Sequence, residues 1–448
     1  MRTLVLLLGV LAVMGLALPA MADTTPVNGY LHEVNGQRVL HVWGTHYEMG
    51  YAHGVLLGKE IVQSMNEYVL NLLPPAIYSA AHIIAPLLFQ LPDEYREEVR
   101  GMIDGVFASG ANAFITPLNR YLDADDLIFC NAVGDIGAMA CSSQIVWDSA
   151  TKDDPQLHGE TALVRNLDWA LAGPNRFLLP ESTIVIVYTP TENDEQTVAT
   201  VSFPGFFGCL SCMNEAGVAA AVNIAHNGIP LWDISFTRRY YHIGVTLRQA
   251  LHARDLNGDG AFDLHDVLDH IADQRSSGAI AINIAEPRDL ALDEPGVVAE
   301  TDADGFAART PADDPEFFGD ILIATNHLRK LRAPIECDRY AKMHEIITNH
   351  GGKLTMDLMW WIEGQVIQNR RLSTTAQTMY FIPFRREMGV AYSSDDAFSP
   401  DKQPALLTWD DVTELPAGVD LSDDDTSPTP DESGSSDDDN SHDRSFCG

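Results

Sequence analysis

Positive charge is scarce in this 448-residue chain, where 28 Lys and Arg stand against 64 Asp and Glu for a formal net charge of -36. Nucleic acids and anionic lipid surfaces are held by clustered Lys and Arg, so neither is an expected partner. Long apolar runs are missing after the first residues. No later segment approaches the roughly eighteen uninterrupted apolar residues of a membrane span, and no transmembrane segment is expected. Cysteine is also sparse. Six residues, Cys130, Cys141, Cys209, Cys212, Cys337 and Cys447, do not make a disulfide scaffold at this length. Cys209-Leu-Ser-Cys212 lacks the second pair that four zinc ligands require, which leaves a packed pair or a local disulfide. There is no internal repeat of useful period.

What is present reads as a globular protein, with 46% hydrophobic and 21% charged residues, enough for one large domain or two ordinary ones. Met1-Arg2, the apolar run Leu4 to Leu18 and the small-residue end Pro19-Ala20-Met21-Ala22 have the three regions of a cleavable secretory signal over 1–22. The expected location is therefore exported: periplasmic, cell-surface or secreted. At the other end, 416–448 is an acidic stretch with Asp423-Asp424-Asp425 and Asp437-Asp438-Asp439 among Ser, Thr and Pro, a composition expected to stay disordered.

Between these ends the hydrophobic period changes. From Tyr47 to Ala113 apolar residues recur three and four apart, through Ile61, Met65, Val69 and later Val99, Met102 and Val106, which predicts a helical N-terminal region over 23–140. After Cys141 come short β-rich runs: Ser143 to Trp147, Thr183 to Tyr188, Thr197 to Phe203, Gly217 to Ile224, Ala279 to Ile284 and Ile321 to Thr325. Helices are expected at Val245 to His252, Leu264 to Ala272, Arg339 to Asn349 and Leu358 to Gln368. The fold class is α+β, two sheets with covering helices, and 141–415 is the expected catalytic region.

Inside that region, Asp255-Leu-Asn257-Gly-Asp259-Gly260-Ala261-Phe-Asp263-Leu-His-Asp266 puts oxygen ligands at positions 1, 3, 5, 9 and 12 of an EF-hand calcium loop, with Gly at position 6. Ala261 would contribute its main-chain carbonyl at position 7. Asp replaces the usual Glu at position 12, as in dockerin-like loops, which this segment resembles. A structural Ca2+ is the expected ion and no organic cofactor is expected.

The chemistry points to Cys141-Ser-Ser-Gln-Ile-Val-Trp147, which leads through Leu157-His-Gly159 to Arg165-Asn166-Leu-Asp168-Trp169. Two strands joined by a polar turn would return Arg165 and Asp168 to Cys141. A guanidinium favours thiolate over thiol, and a carboxylate can hold an amino group. Taken alone, Cys141 is as readily a buried structural cysteine. Asn214 and Gly217 read as turn formers, His53 as a packing or hydrogen-bonding residue, and His327 as a less suitable papain-like partner.

The segment from Cys141 to Trp169 resembles the nucleophile region of the C45 peptidase family, the penicillin acyltransferase-like cysteine Ntn hydrolases. Acid ceramidases and choloylglycine hydrolases are more distantly similar. Further matches follow in the family's order: Met213-Asn214-Glu215-Ala-Gly217-Val218 leading to Asn223, Ala324-Thr325-Asn326-His327, and Asp338-Arg339-Tyr340, with Gly44-Thr-His-Tyr47-Glu-Met-Gly50-Tyr-Ala-His53-Gly54 upstream. The resemblance spans roughly Val39 to Ser394. Cys212 departs from it, standing where Gly often precedes Met-Asn, and the calcium loop and acidic tail are additions.

The resemblance implies an Ntn-hydrolase αββα sandwich and self-cleavage between Ala140 and Cys141, giving two subunits of one precursor. Cys141 would then be nucleophile and, through its new α-amino group, base. Asp168 would hold that amino group, Arg165 would support the thiolate or the substrate, Asn223 with main-chain N–H would receive the oxyanion, and Asn326 and Arg339 would complete the site. The implied substrate is a small-molecule acylated amine, cleaved or transferred at a non-peptide amide. Two other readings stand beside it: a ceramidase-like or phospholipase B-like lipid hydrolase, and a calcium-dependent surface binding protein on a degenerate enzyme fold.

Overall fold

Residue alternation along the central strands dictates the layering. In Ile184–Pro190, Val185 and Val187 pack into one apolar cluster while Ile184, Ile186 and Tyr188 pack into another on the opposite face. A strand buried on both faces needs a layer on each side, so successive side chains feed different cores.

The computed structural model describes residues 27–136, 140–171, 173, 175–228, 239–274, 276, 278–314, 319–370, 373–419 and 421. The expected leader, most of the acidic tail and Cys447 lie outside them. By its contacts the chain divides after Glu414.

The first sheet runs β1 (Gly29–Val34), β2 (Gln37–Gly44), β5 (Ile184–Pro190), β6 (Val198–Ser202), β7 (Ser211–Asn214), β8 (Ala219–Ile224), β9 (Ile280–Ala285), β10 (Gly296–Asp302) and β11 (Gly305–Arg309). Within it β2 and β5 are parallel and the other pairs antiparallel. The second sheet runs β12 (Ile321–Ala324), β3 (Ala140–Val146), β4 (Ala162–Trp169), β13 (Ser373–Ile382), β14 (Glu387–Tyr392) and β15 (Ala405–Thr408), with the short Asn369–Arg370 pairing on β13.

Three apolar clusters separate four layers. Between the sheets, Ile145, Leu163, Leu167, Met379 and Phe381 meet Val185, Val187, Val201, Met213 and Ile282. The outer face of the first sheet, through Leu40, Val42, Ile184 and Ile186, packs on α1 (His46–Ser64) and α3 (Asp93–Ala108) through Met49, Leu57, Val99 and Met102. The outer face of the second, through Val146, Val164, Ile321 and Ile323, packs on α7 (Asp338–Asn349) and α8 (Met356–Gln365) through Met343, Ile347, Met359 and Ile362. The chain also forms α2 (Pro75–Leu88) and α4 (Ala124–Ile136), which pack into the cluster of α1 and α3, and α5 (Ile243–His252) and α6 (Leu264–Asp273). The segment before the first helix, whose apolar pattern carries no helical period, forms β1 and β2 of the first sheet. No single helix among the described residues is long and apolar enough to cross a membrane.

Two features fix the N-terminal helices. Thr45 and Glu48 form a reciprocal capping box that starts α1 immediately after β2. Glycines then let α1 and α3 touch backbone to backbone: an added Cβ at Gly50 would lie 1.9 Å from Glu98 O, at Gly54 2.1 Å from Met102 O, and at Gly105 2.2 Å from Tyr51 O. Across this contact the buried Glu98 carboxylate accepts from Arg248 Nη1 at 2.7 Å and Nη2 at 3.0 Å, and lies 2.9 Å from His46 Nδ1. Burial alone would raise the Glu98 carboxyl, but Arg248 and His46 hold it down at about 2. Arg248 sits on α5, so this network bonds residues before the Ala140–Cys141 peptide to residues after it.

Gly54→Ala should lower stability by about 1–3 kcal/mol through overpacking, more than the roughly 1 kcal/mol that Ala gains in helix propensity. Thermal unfolding of the two forms measures this; an unchanged midpoint would show that the helices separate freely.

Candidate active site

Strands β3 and β4 pair antiparallel, with Ala140 opposite Asp168, Cys141 opposite Leu167 and Ser143 opposite Arg165. The period of two puts Cys141, Ser143, Arg165 and Trp169 on the face toward the first sheet. Arg165 reaches back along that face, and its Nη2 donates to Cys141 Sγ at 2.8 Å and to Val222 O at 3.0 Å. Its Nη1 donates to Leu210 O at 2.8 Å and Ser211 Oγ at 2.7 Å. None of these four acceptors is a carboxylate, and Arg165 is fully buried.

Asp168 is also buried and is bound through both oxygens, accepting from Arg339 Nη1 at 2.7 Å and Thr375 Oγ1 at 2.6 Å. Asn326, two residues past the end of β12, accepts from Cys141 N at 3.1 Å and from Arg339 Nη2, while its Nδ2 donates to Ile224 O at 2.6 Å. Cys141, Arg165, Asp168, Asn326 and Arg339 are thus one connected group. Asn223 stands at its edge. Its Oδ1 accepts from Ser143 Oγ at 2.9 Å and its Nδ2 donates to Ala324 O at 3.2 Å.

The electrostatics differ from the simple expectation of a favoured thiolate. Burial pushes the Cys141 thiol up; Arg165, the Asp168 main-chain N–H and Arg339 pull it down, and the net direction is upward. The enclosed cysteine therefore keeps its proton until a base is supplied. Burial likewise raises the Asp168 carboxyl to about 6, against the pull of Arg339, Thr375 and Arg165.

Several residues of this region carry no sequence signal. Thr375 joins from β13, and Ser211 from the start of β7. Behind the β3–β4 pair, Glu363 of α8 accepts from Ser142 Oγ at 2.6 Å and Gln144 Nε2 at 3.0 Å, and burial raises its carboxyl to about 7. His53 and His327 are bonded to other partners: His53 Nε2 accepts from Gly205 N at 3.0 Å, and His327 Nδ1 lies 3.1 Å from Thr325 Oγ1. Asn214 shapes its turn, accepting from Val218 N at 2.9 Å, and Cys209 and Cys212 form a disulfide.

Beside the site lies an apolar cavity of about 70 Å³, lined among others by Met65, Tyr68, Leu127, Cys130, Trp169 and Phe206. Trp169 is its link to Cys141, being on the Cys141 face of β4 and one diagonal step away.

In the acidic loop, Gly258 and Gly260 have φ of 81° and 90°. The Asp255 carboxylate accepts from the N–H groups of Gly258, Asp259 and Gly260, and Asp266 from those of Leu256, Asn257 and Asp263. Among the described residues, one group of three His or acidic side chains gathers its ligand atoms within 4.8 Å, namely His82, Asp123 and Asp126. There Arg120 Nη2 already pairs with Asp126 at 2.6 Å.

No family model matches the chain. An uncharacterized protein of Archaeoglobus fulgidus is 25% identical over 312 residues, 63% of this chain and 46% of that protein. Protein dcd1B of Dictyostelium discoideum is 28% identical over 233 residues, 46% of this chain and 44% of that protein. The chain spans less than half the length of these curated relatives. Among solved structures, the Caenorhabditis elegans N-acylethanolamine-hydrolyzing acid amidase ortholog is similar at a TM-score of 0.40 and 16% identity, covering 60% of this chain and 100% of that one. Penicillin V acylase from Agrobacterium tumefaciens is similar at 0.33 and 10%, covering 56% and 83%.

If the Asp168 carboxylate holds Arg339 and, through it, the Cys141 nitrogen, the site loses its order as that carboxylate takes a proton. Self-cleavage of the unprocessed chain, made by cell-free synthesis, should slow as pH falls through about 6. Thr375→Val removes a bond that favours the carboxylate and should move the midpoint up by about half to one unit. A rate that is flat from about pH 5 to 7 would remove Asp168 from this role.

Proposed function

We propose that this chain is an exported, self-processing cysteine hydrolase or acyltransferase of the Ntn type, related to the C45 enzymes and acting on a non-peptide N-acyl amide. The observation that carries the reading is the Arg165 guanidinium on Cys141 Sγ at 2.8 Å, with the Cys141 nitrogen bonded to Asn326. A structural cysteine has no need of a buried cation.

In the first step Cys141 Sγ attacks the Ala140 carbonyl. The C–S bond forms, the C–N bond breaks, and the thiol proton passes to the departing nitrogen. Water then breaks the thioester, leaving Ala140 with a carboxylate and Cys141 with a free α-amine. That amine, with a reference pKa near 8, takes the thiol proton in each turnover and returns it to the leaving amine, while water or a second amine resolves the acyl-enzyme. Asn326 and Asp168 with Arg339 hold the Cys141 nitrogen, and Arg165 stabilises the sulfur. We assign the oxyanion to Asn223 and neighbouring main-chain N–H groups, which requires its amide to turn from Ala324 O.

The cavity favours an apolar acyl group, the feature shared with the lipid-hydrolase reading. Its walls come from both sides of the Ala140–Cys141 peptide: Met65, Tyr68, Leu127 and Cys130 before it, Trp169 and Phe206 after it.

The loop 255–266 is proposed as a structural calcium site, with Asp255, Asn257, Asp259, the Ala261 carbonyl, Asp263 and Asp266 as donors. Hard oxygen donors and the two glycine turns suit that ion. Its position next to α5 places it behind Arg248 and the network that fastens the N-terminal helices.

Intact-mass measurement of the exported protein should give fragments beginning at Asp23 and Cys141, and a single chain for Cys141→Ala. With the processed enzyme, kcat/KM on N-acyl amides should rise about three- to fourfold per methylene from acetyl to hexanoyl. A wild type that stays whole and forms no acyl adduct would sink the proposal.

Millimolar Ca2+ should raise the thermal midpoint relative to chelator, by the equivalent of about 2.7 kcal/mol at a hundredfold excess over Kd. Asp255→Ala should abolish the difference; an unresponsive wild type would count the loop as a plain acidic turn.

A further inference from the structure

The Arg165 guanidinium is aimed by a very short piece of chain. Leu210 O and Ser211 Oγ, which take both Nη1 bonds, are the two residues enclosed by the Cys209–Cys212 disulfide. Val222 O, which accepts from Nη2, belongs to a residue whose own N–H donates to Leu210 O at 2.9 Å. Three of the four acceptors around the cation therefore depend on the position of this turn, and the fourth is the Cys141 sulfur.

The turn has two ends of unequal security. Ser211 and Cys212 sit in the ladder, opposite Ala221 and Ala220. Cys209 lies outside any strand and is fixed by its N–H to Gly244 O at 2.8 Å and by the disulfide. The loop before it is gathered by Asn131, whose Oδ1 accepts from Phe207 N at 2.9 Å and Gly208 N at 3.2 Å. All four residues of the turn are buried.

We propose that the Cys209–Cys212 disulfide is a positioning element of the catalytic site, holding the Leu210 carbonyl and the Ser211 hydroxyl so that Arg165 points at Cys141 Sγ. This rests on the reading of Cys141 as nucleophile. Without the cross-link the Leu210 carbonyl is held only by the Val222 N–H and the short ladder at Ser211 and Cys212, and its displacement from Nη1 lets the guanidinium move off the sulfur. An opposite charge within about 4–6 Å shifts a titrating group by about 1–3 units, so even partial withdrawal changes where the thiolate forms.

The test is the pH profile of Cys141 alkylation by iodoacetamide, followed by peptide mass so that Cys130, Cys337 and Cys447 are counted separately, in the processed wild type, Cys209→Ser/Cys212→Ser and Ser211→Ala. The double variant should keep its fold and react with a midpoint about one unit higher than wild type. Ser211→Ala, with the disulfide intact, should shift in the same direction by less. A stapled turn with no bearing on the thiol would change thermal stability and leave the midpoint alone. An unchanged midpoint in the folded double variant overturns the proposal, as does a wild type whose mass shows free thiols at Cys209 and Cys212. Should the double variant not fold, an unchanged Ser211→Ala profile overturns it. A wild type in which Cys141 is neither released by cleavage nor alkylated would instead refute the nucleophile reading on which the proposal stands.

Discussion

A fully buried guanidinium whose acceptors are two main-chain carbonyls, one hydroxyl and one sulfur is the constraint on which this site depends. Burying a cation is costly unless it is paired, and Arg165 has no carboxylate among those four acceptors. The Asp168 carboxylate acts on it without a hydrogen bond, and a thiolate formed at Cys141 would give it a counter-ion in direct contact. The β3–β4 register, the turn at Leu210 and the end of β8 at Val222 all bear on keeping that cation solvated by protein dipoles. The layers outside them hold those strands in place.

The same burial that makes Arg165 effective works against the thiolate. Cys141 lies in the apolar layer between the sheets, and desolvation outweighs the nearby cations, so the thiol is raised. A guanidinium that a strand pair returns to a cysteine suggests a thiolate; the depth at which the two sit reverses the sign. Depth is a property of how two sheets stack, and no local pattern around Cys141 encodes it.

Other parts were legible to different degrees for equally physical reasons. The β3–β4 pair could be read because a period of two over a short connection brings Cys141, Arg165 and Asp168 together with little freedom. Asn326 and Arg339 could be placed by resemblance, though not by spacing. Thr375, Glu363 and Ser211 could not be read at all: each reaches the site through a side chain whose partner is distant in sequence and whose neighbours look like ordinary strand, helix or turn. The strands β1 and β2 were hidden by the helical pattern that begins just after them. Asn223 shows the limit of placing a residue by its order in the chain, since it arrives at the correct wall with its side-chain amide already bound to Ser143 and Ala324.

Were the chain cut at the Ala140–Cys141 peptide, as proposed, its two parts would have to hold together by noncovalent means, and the network around Glu98 bonds residues from both sides of that peptide. His46 is raised to about 9 by Glu195 and Glu98 against the opposing effect of burial, while Glu98 is held at about 2. Both partners thus stay charged from acid to mildly alkaline conditions. Backbone contact through Gly50 and Gly54 then locks the helices that carry them, and Asn131 and His53 grip the loop ahead of Cys209 from the N-terminal side. The residues before the Ala140–Cys141 peptide therefore do more than precede Cys141. They form one wall of the apolar cavity and steady the turn that aims Arg165. Loss of that segment would cost the site its geometry, so the proposed cleavage would have to leave both fragments in one molecule.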